Sequence, residues 1–126
     1  MLGDHDAIAT VAVKDLARAK EFYEGKLGLK LTPQQEPGSL SYQGGKFALF
    51  VYESRYAGTN QATAVTWDCG KDVESIVQEL KSKGATFEHY PDLPDTKIVG
   101  DLHLAGPMKL AWLKDPDGNI HALAGT

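Results

Sequence analysis

The stretch VAVKDLARAKEFYEGKLGLKL, residues 11–31, decides the fold because its periodicity changes from that of a strand to that of a helix. Small and β-branched residues over 7–13 predict a strand. Asp15 is a typical N-cap, and the residues after it predict an amphipathic helix that ends at Gly28. The apolar positions of this helix recur about every 3.6 residues, and they are Leu16, Ala19, Phe22, Tyr23 and Leu27.

The residues after this helix predict three short strands, at 29–32, 39–42 and 47–52. A turn that contains proline and glycine separates the first two, and the Gly44-Gly45 turn separates the last two. The first half of the chain is therefore predicted to be a βαβββ unit.

The same order of elements recurs in the second half. Residues 62–69 predict a strand, and Asp72 precedes a helix that ends at Gly84. Three further strands are predicted at 86–90, 109–114 and 120–124, the last two joined by the turn DPDGN at 115–119. We interpret the chain as an internal duplication within one domain, 1–126, with a first module at about 7–53, a linker at 54–61 and a second module at about 62–126.

The two halves differ most at residues 91–107, which contain three prolines and two glycines. This segment is longer than an ordinary hairpin connection. Because proline cannot donate a hydrogen bond to a sheet ladder, the segment is expected to be an ordered but mobile lid rather than part of a sheet.

Composition and charge narrow the classes of function. The chain has 126 residues, 42% of them apolar, and a net charge of −4 with no cluster of basic residues. Such a charge balance provides no basic surface that would attract nucleic acid or an anionic membrane. The longest apolar run, 47–52, is far shorter than the about 20 residues of a membrane span. With this charge we expect the partner to be a small molecule or another protein. Cys69 is the only cysteine and the N-terminus is acidic, so we expect a cytoplasmic protein.

Two segments together carry a resemblance to a known family. They are the stretch at 11–31 and WLKDPDGNIHAL at 112–123. With them the chain resembles the vicinal oxygen chelate superfamily, which includes glyoxalase I, bleomycin-resistance proteins, fosfomycin-resistance enzymes and extradiol dioxygenases. The resemblance implies an α+β fold in which two tandem βαβββ modules form a U-shaped, partly open barrel around a cleft. It also implies a homodimer, because such proteins pair modules across a two-fold axis.

Metal-dependent members of this superfamily hold an ion through His, Gln or Glu side chains at four strand positions in the cleft. Carried over residue by residue, these positions are occupied here by Ile8, Leu49, Ala64 and Ala122. None of the four side chains has the nitrogen, oxygen or sulfur donor that a divalent cation needs. The resemblance therefore points to members that work without a metal, and we expect no metal and no other cofactor.

The same alignment predicts the side chains of a ligand pocket. Because alternate residues of a strand share a face, Ile8 and Ala64 facing the cleft imply that Thr10, Thr66 and Asp68 face it too. These three would be the polar anchors of an otherwise apolar pocket. The other expected contacts are apolar or aromatic positions of nearby strands and one histidine of the lid: Phe47, Leu49, Trp112, Ile120, Ala122 and His103. The sequence does not fix the facing of Trp112.

The opposite face of these strands is expected to pack against the helices. In the second module it would hold Val65, Trp67 and Cys69, and also His121, which is the sequence neighbour of Ala122. Only a one-residue shift of register would bring His121 into the cleft.

Three functions from different classes follow. The leading one is a metal-independent small-molecule-binding protein, and the resemblance suggests sequestration of a drug or toxin. The second is a metal-dependent lyase or dioxygenase with relocated ligands, such as His5 and His121. The third is a cofactor-free enzyme that uses Asp68 or His103 as an acid or base.

Overall fold

The computed structural model describes residues 1–126 and shows a mixed α+β fold with two separate, unclosed sheets. The first half contains a 3₁₀ turn (Leu2–Asp4), β1 (Ala9–Val13), α1 (Leu16–Lys20), a π-helical segment (Glu21–Lys26), β2 (Ser39–Gln43) and β3 (Ala48–Glu53). The second half contains β4 (Thr63–Gly70), α2 (Val73–Ser82), β5 (Phe87–Glu88), β6 (Lys97–Val99), β7 (Leu102–Ala105), β8 (Met108–Lys114) and β9 (Ile120–Gly125). The predicted fold class is confirmed. None of the helices combines the length and apolar character that a membrane crossing requires.

Local chemistry explains where the first helix begins and ends. The Asp15 carboxylate accepts two hydrogen bonds from backbone N–H groups of the first turn, at 2.9 and 3.3 Å, as predicted for an N-cap. α1 continues into the π-helical segment, whose wider turn closes with the Leu27 N–H donating to the carbonyl oxygen of Phe22 at 3.0 Å. Gly28 follows with φ of 73°, a left-handed value that favours glycine at a helix end. The predicted helix is present, but its second half is π-helical.

The first sheet has the order β1-β3-β2, with β3 parallel to β1 and antiparallel to β2. The strand predicted at 29–32 does not form, and only a single bridge joins Leu31 to Tyr42. The side-chain amide of Gln35 bonds to both the carbonyl oxygen and the N–H of Ser41, at 3.0 and 2.9 Å. The Ser41 carbonyl oxygen still accepts a hydrogen bond of 2.9 Å from the Thr32 N–H, so it is the Ser41 N–H, bonded to Gln35, that is lost to a longer strand.

The second sheet has the order β4-β9-β8-β7-β6, and β5 pairs with the far end of β8. The expectation of a lid outside the sheet is wrong, because β6 and β7 form a hairpin that extends the sheet. Pro94 precedes β6 and Pro107 lies in the turn between β7 and β8, so neither interrupts the ladder. Gly100 and Gly106 supply the left-handed φ values, 64° and 58°, of the two tight turns.

One hydrophobic core serves both modules. A cluster of 16 buried residues takes Val11 and Val51 from the first sheet and Val65 and Leu123 from the second, together with side chains of both helices. The edge strands β1 and β4 contact each other. The modules therefore pack through their helix-bearing faces, and we call the opposite faces of the two sheets the cleft faces.

Candidate functional site

The cleft face of the first sheet is a mostly apolar wall with an aromatic pair. The strand register places Thr10 beside Phe50, and Phe50 opposite Ser41, and paired residues on neighbouring strands share a face. The rings of Phe50 and Tyr52 stack with centroids 6.1 Å apart. A cavity of about 330 Å³ on this face is lined by residues that include Ile8, Thr10, Ser41 and Phe50. Ile8 is 59% exposed, so much of this wall is open to solvent.

The cleft face of the second sheet carries the predicted carboxylate. Thr66 and Asp68 are exposed on it, and the register places Thr66 beside Ala122. Trp112 pairs with Ala122 from the other side, so the half-buried indole also lies on the cleft face. One carboxylate oxygen of Asp68 accepts a hydrogen bond of 3.2 Å from a backbone N–H two residues along the chain, and the group makes no ion pair within the chain. Ile120 and Ala122 share this face but are only 7% and 5% exposed.

The facing predicted for Leu49 and Phe47 is wrong. Leu49 pairs with Ala9 and lies in the core cluster with 1% of its surface exposed, although it borders the cavity of the first sheet. The match of Leu49 to a metal-ligand position is therefore one residue out of step in β3, and a shift of one residue reverses the facing of a strand. Phe47 lies just before β3 and packs edge-on against Trp67 on the core side, with ring centroids 5.0 Å apart.

His103 is not in a loop, as predicted, but in β7, and it is fully buried. Its Nε2 accepts a hydrogen bond of 2.9 Å from the backbone N–H of Tyr90, and its ring meets Trp112 edge to face with centroids 4.9 Å apart. Burial lowers the pKa of His103, and the nearby His89 adds to this effect. Two backbone carbonyls oppose the shift, but Nδ1 makes no hydrogen bond of acceptable geometry. Because His103 pairs with Leu110, two residues before Trp112, its imidazole lies on the same face of the sheet as Trp112, but no part of it is exposed.

A buried polar network joins the two modules through the core. Nδ1 of His121 accepts a hydrogen bond of 3.0 Å from the Trp67 indole N–H, and its Nε2 lies 3.0 Å from the Tyr23 hydroxyl. Because an indole nitrogen can only donate, Nδ1 is unprotonated and the Nε2–H donates to the hydroxyl. That hydroxyl donates in turn to Asp115 at 2.8 Å. Burial lowers the pKa of His121 to about 4, and burial together with Asp115 raises the pKa of Tyr23.

The DPDGN turn extends this network to the first strand. The side-chain amide of Asn119 donates to Asp115 at 2.8 Å and to the carbonyl oxygen of Ala12 at 2.7 Å. The Asp117 carboxylate accepts a hydrogen bond of 3.2 Å from the backbone N–H of Lys14. The turn of the second module therefore holds the end of β1. Sequence reasoning missed this network, although its polar residues on a predicted core face were the signal for it.

The predicted facing of His121, Trp67 and Cys69 toward the core is confirmed. Both ring nitrogens of His121 are engaged there, so the imidazole is not on a cleft face as a relocated metal ligand would be. His5, the other suggested ligand, is exposed in the N-terminal segment.

The positions matched to metal ligands offer no donor atoms. Ile8, Ala64 and Ala122 have hydrocarbon side chains only, and the strand neighbours of Leu49 that face the cleft are an alanine and a phenylalanine. No group of three or more His, Cys, Asp or Glu side chains lies close enough together to hold an ion. The residues present therefore do not fit the metal centre that metal-dependent proteins of similar sequence would hold.

Comparisons with known proteins agree with this fold. A sequence model of the Glyoxalase/Bleomycin resistance protein/Dioxygenase superfamily matches residues 6–122. No curated protein matches the sequence.

Several solved structures have the same fold at low sequence identity. A bleomycin-binding protein in complex with bleomycin is similar with a TM-score of 0.70 and 20% identity, over 97% of this chain and 98% of that chain. A glyoxalase/bleomycin resistance protein/dioxygenase from Alicyclobacillus acidocaldarius has a TM-score of 0.67 and 20% identity, over 95% and 91%. The fosfomycin resistance protein FosX from Listeria monocytogenes has a TM-score of 0.67 and 13% identity, over 97% and 90%.

Proposed function

The chain belongs to the Glyoxalase/Bleomycin resistance protein/Dioxygenase superfamily, and we propose that it is a small-molecule-binding protein that works without a metal or another cofactor. The observation that carries the proposal is the absence of donor atoms in the side chains of Ile8, Ala64 and Ala122, the positions matched to metal ligands. Sequestration of a drug or toxin is the form we favour, because one similar structure is a bleomycin-binding protein with its drug. A cytoplasmic location is part of the proposal, and the single cysteine, Cys69, supports it.

The side chains of the cleft faces favour a ligand with a positive group on a flat apolar body. Asp68 is exposed and unpaired, and Thr66 adds a hydroxyl on the same strand. The stacked pair Phe50 and Tyr52 on one sheet and Trp112 on the other offer aromatic surface. A few polar anchors among apolar walls are typical of small-molecule sites, and aromatic faces also attract cations.

We infer that two copies of the chain complete the site. The cavity beside Ile8 is lined only by residues of the first module, and neither Asp68 nor Trp112 borders it. Within a single chain Thr66 borders a cavity together with Phe47 and Leu49, whereas the cavity of Ile8 and Phe50 reaches neither Asp68 nor Trp112. A homodimer in which each copy contributes one cleft face would enclose a ligand from both sides. Sedimentation at micromolar concentration should give twice the mass of the 13.6 kDa chain, and a monomer at every concentration would contradict this.

The proposal is tested by separating binding from turnover. Bleomycin and a set of cationic aromatic drugs are screened by thermal shift, and hits are titrated by calorimetry before and after dialysis against EDTA. We expect at least one hit whose affinity does not change with EDTA, and which mass spectrometry recovers unaltered after long incubation. Conversion of the ligand, loss of binding with EDTA, or no hit in the set would contradict a metal-independent binding protein.

A further inference from the structure

A second cavity lies behind β4, on the opposite side of the strand from Thr66 and Asp68. It has a volume of about 160 Å³ and opens between α2 and the residues that follow the π-helical segment. Seven hydrophobic side chains line it, and they include one indole and one thiol. They are Leu27, Leu29, Trp67, Cys69, Ile76, Leu80 and Leu123, the last of which belongs to β9.

The lining offers no free hydrogen-bonding group to an occupant. The Trp67 indole N–H is already engaged by His121 at 3.0 Å, and the Cys69 thiol is directed to the backbone of its own strand at 3.5 Å. Burial raises the pKa of the Cys69 thiol, which keeps it neutral. Water needs two or more polar partners to occupy a cavity stably, and a charged molecule would lose its hydration without compensation. The cavity is open on one side, but its lining gives neither a water molecule nor an ion a polar partner.

We propose that this cavity is a second ligand site, which takes one small, uncharged aromatic molecule per chain. The volume sets the size, because it is close to the about 150 Å³ of an enclosed apolar cavity that accepts benzene. The Trp67 ring and the Cys69 sulfur favour an aromatic occupant over an alkyl one, since both make specific contacts with aromatic rings. The site does not rest on the proposed function, because its residues lie on the other face of β4 from the cleft.

The test titrates benzene into the full-length protein and monitors its binding by two-dimensional NMR. Titration should shift the indole N–H of Trp67 and the methyl groups of Ile76 and Leu123 in a saturable way. Ile76→Phe fills the cavity from α2 and should weaken benzene binding at least about tenfold, equivalent to about 1.4 kcal/mol. Val99→Phe adds the same ring at a side chain that is 50% exposed and outside the cavity, and it should leave the binding unchanged.

Three results would overturn the proposal. The first is the absence of saturable shifts at these groups, and the second is a set of shifts confined to Thr66 and Trp112, which would put benzene in the cleft. The third is a shift of the cavity resonances with protein concentration instead of benzene, which would assign the surface to a second copy of the chain. If Ile76→Phe does not fold, Leu29→Phe fills the same cavity from its other side and is judged by the same criterion.

Discussion

Acid should destabilise this protein through one buried imidazole. His121 is fully buried, and its two ring nitrogens already serve Trp67 and Tyr23. Protonation would place a charge in the core and a second N–H against the Trp67 indole N–H, two donors with no acceptor between them. The folded protein therefore resists protonation at His121, and its pKa falls from 6.5 to about 4.

The direction and size of the pH effect on stability follow from the linkage between proton binding and folding. The unfolded chain binds the proton near pH 6.5, whereas the folded chain binds it near pH 4. Stability from this group is thus fully present above about pH 7 and is lost as the pH falls from about 6.5 to 4. The interval between about 6.5 and about 4, at 1.36 kcal/mol for each pH unit, corresponds to a loss of about 3 kcal/mol in the free energy of unfolding.

Urea denaturation at a series of pH values between 7.5 and 4 measures the effect. His121→Gln can still accept from the Trp67 indole and donate to Tyr23, but it does not titrate, so its stability should fall by about 3 kcal/mol less than that of the wild type. Lys81 and His89 lower the pKa of the Asp101 carboxylate, so acid also removes its contribution to the free energy of unfolding. This loss is the same in both proteins and cancels when they are compared. His5→Gln, at an exposed histidine, should follow the wild type. Equal pH dependence in the wild type and His121→Gln would refute the reasoning.

Three further predictions concern the network, the cleft and the hairpin. Tyr23→Phe leaves Asp115 and His121 without their shared partner and should lower the free energy of unfolding by about 1–3 kcal/mol. Tyr56→Phe, at a side chain that is 63% exposed, should change it by less than about 0.5 kcal/mol, and equal effects of the two variants in urea denaturation would contradict a role for the network. Asp68→Asn should weaken a cationic ligand by about 1.5–3 kcal/mol in calorimetry, with Asp72→Asn as the matched control, and a change within about 0.5 kcal/mol would make Asp68 an ordinary surface residue. Backbone amides that pair β6 with β7 should exchange with deuterium more slowly than those of 92–95. Uniformly fast exchange over 92–107 would instead support the mobile lid expected from the sequence.

Local signals in the sequence carried most of the fold. Asp15 caps its helix as predicted because an N-cap depends only on the residues of the first turn. Alternation correctly assigned Trp67 and Cys69 to the core face, since β4 has one buried face that fixes its register. These elements depend on short-range chemistry that can be read directly from the sequence.

The errors concern features that depend on distant residues. Leu49 was misplaced because the register of β3 is set by its pairing with β1, which no turn motif specifies. The hairpin of β6 and β7 was missed because prolines count against a strand only inside a ladder, and here they lie in the turns. The network around His121 joins positions 98 residues apart in the sequence, so no local pattern could specify its partners.

The metal content of the purified protein tests the central claim most directly. Protein prepared without a histidine tag is analysed by mass spectrometry for Zn, Ni, Fe and Mn, and its melting temperature is measured with and without EDTA. Because Ile8, Ala64 and Ala122 have no donor atoms, we predict far less than one metal ion per chain and an unchanged melting temperature. A nearly stoichiometric metal whose removal lowers the melting temperature would contradict the account.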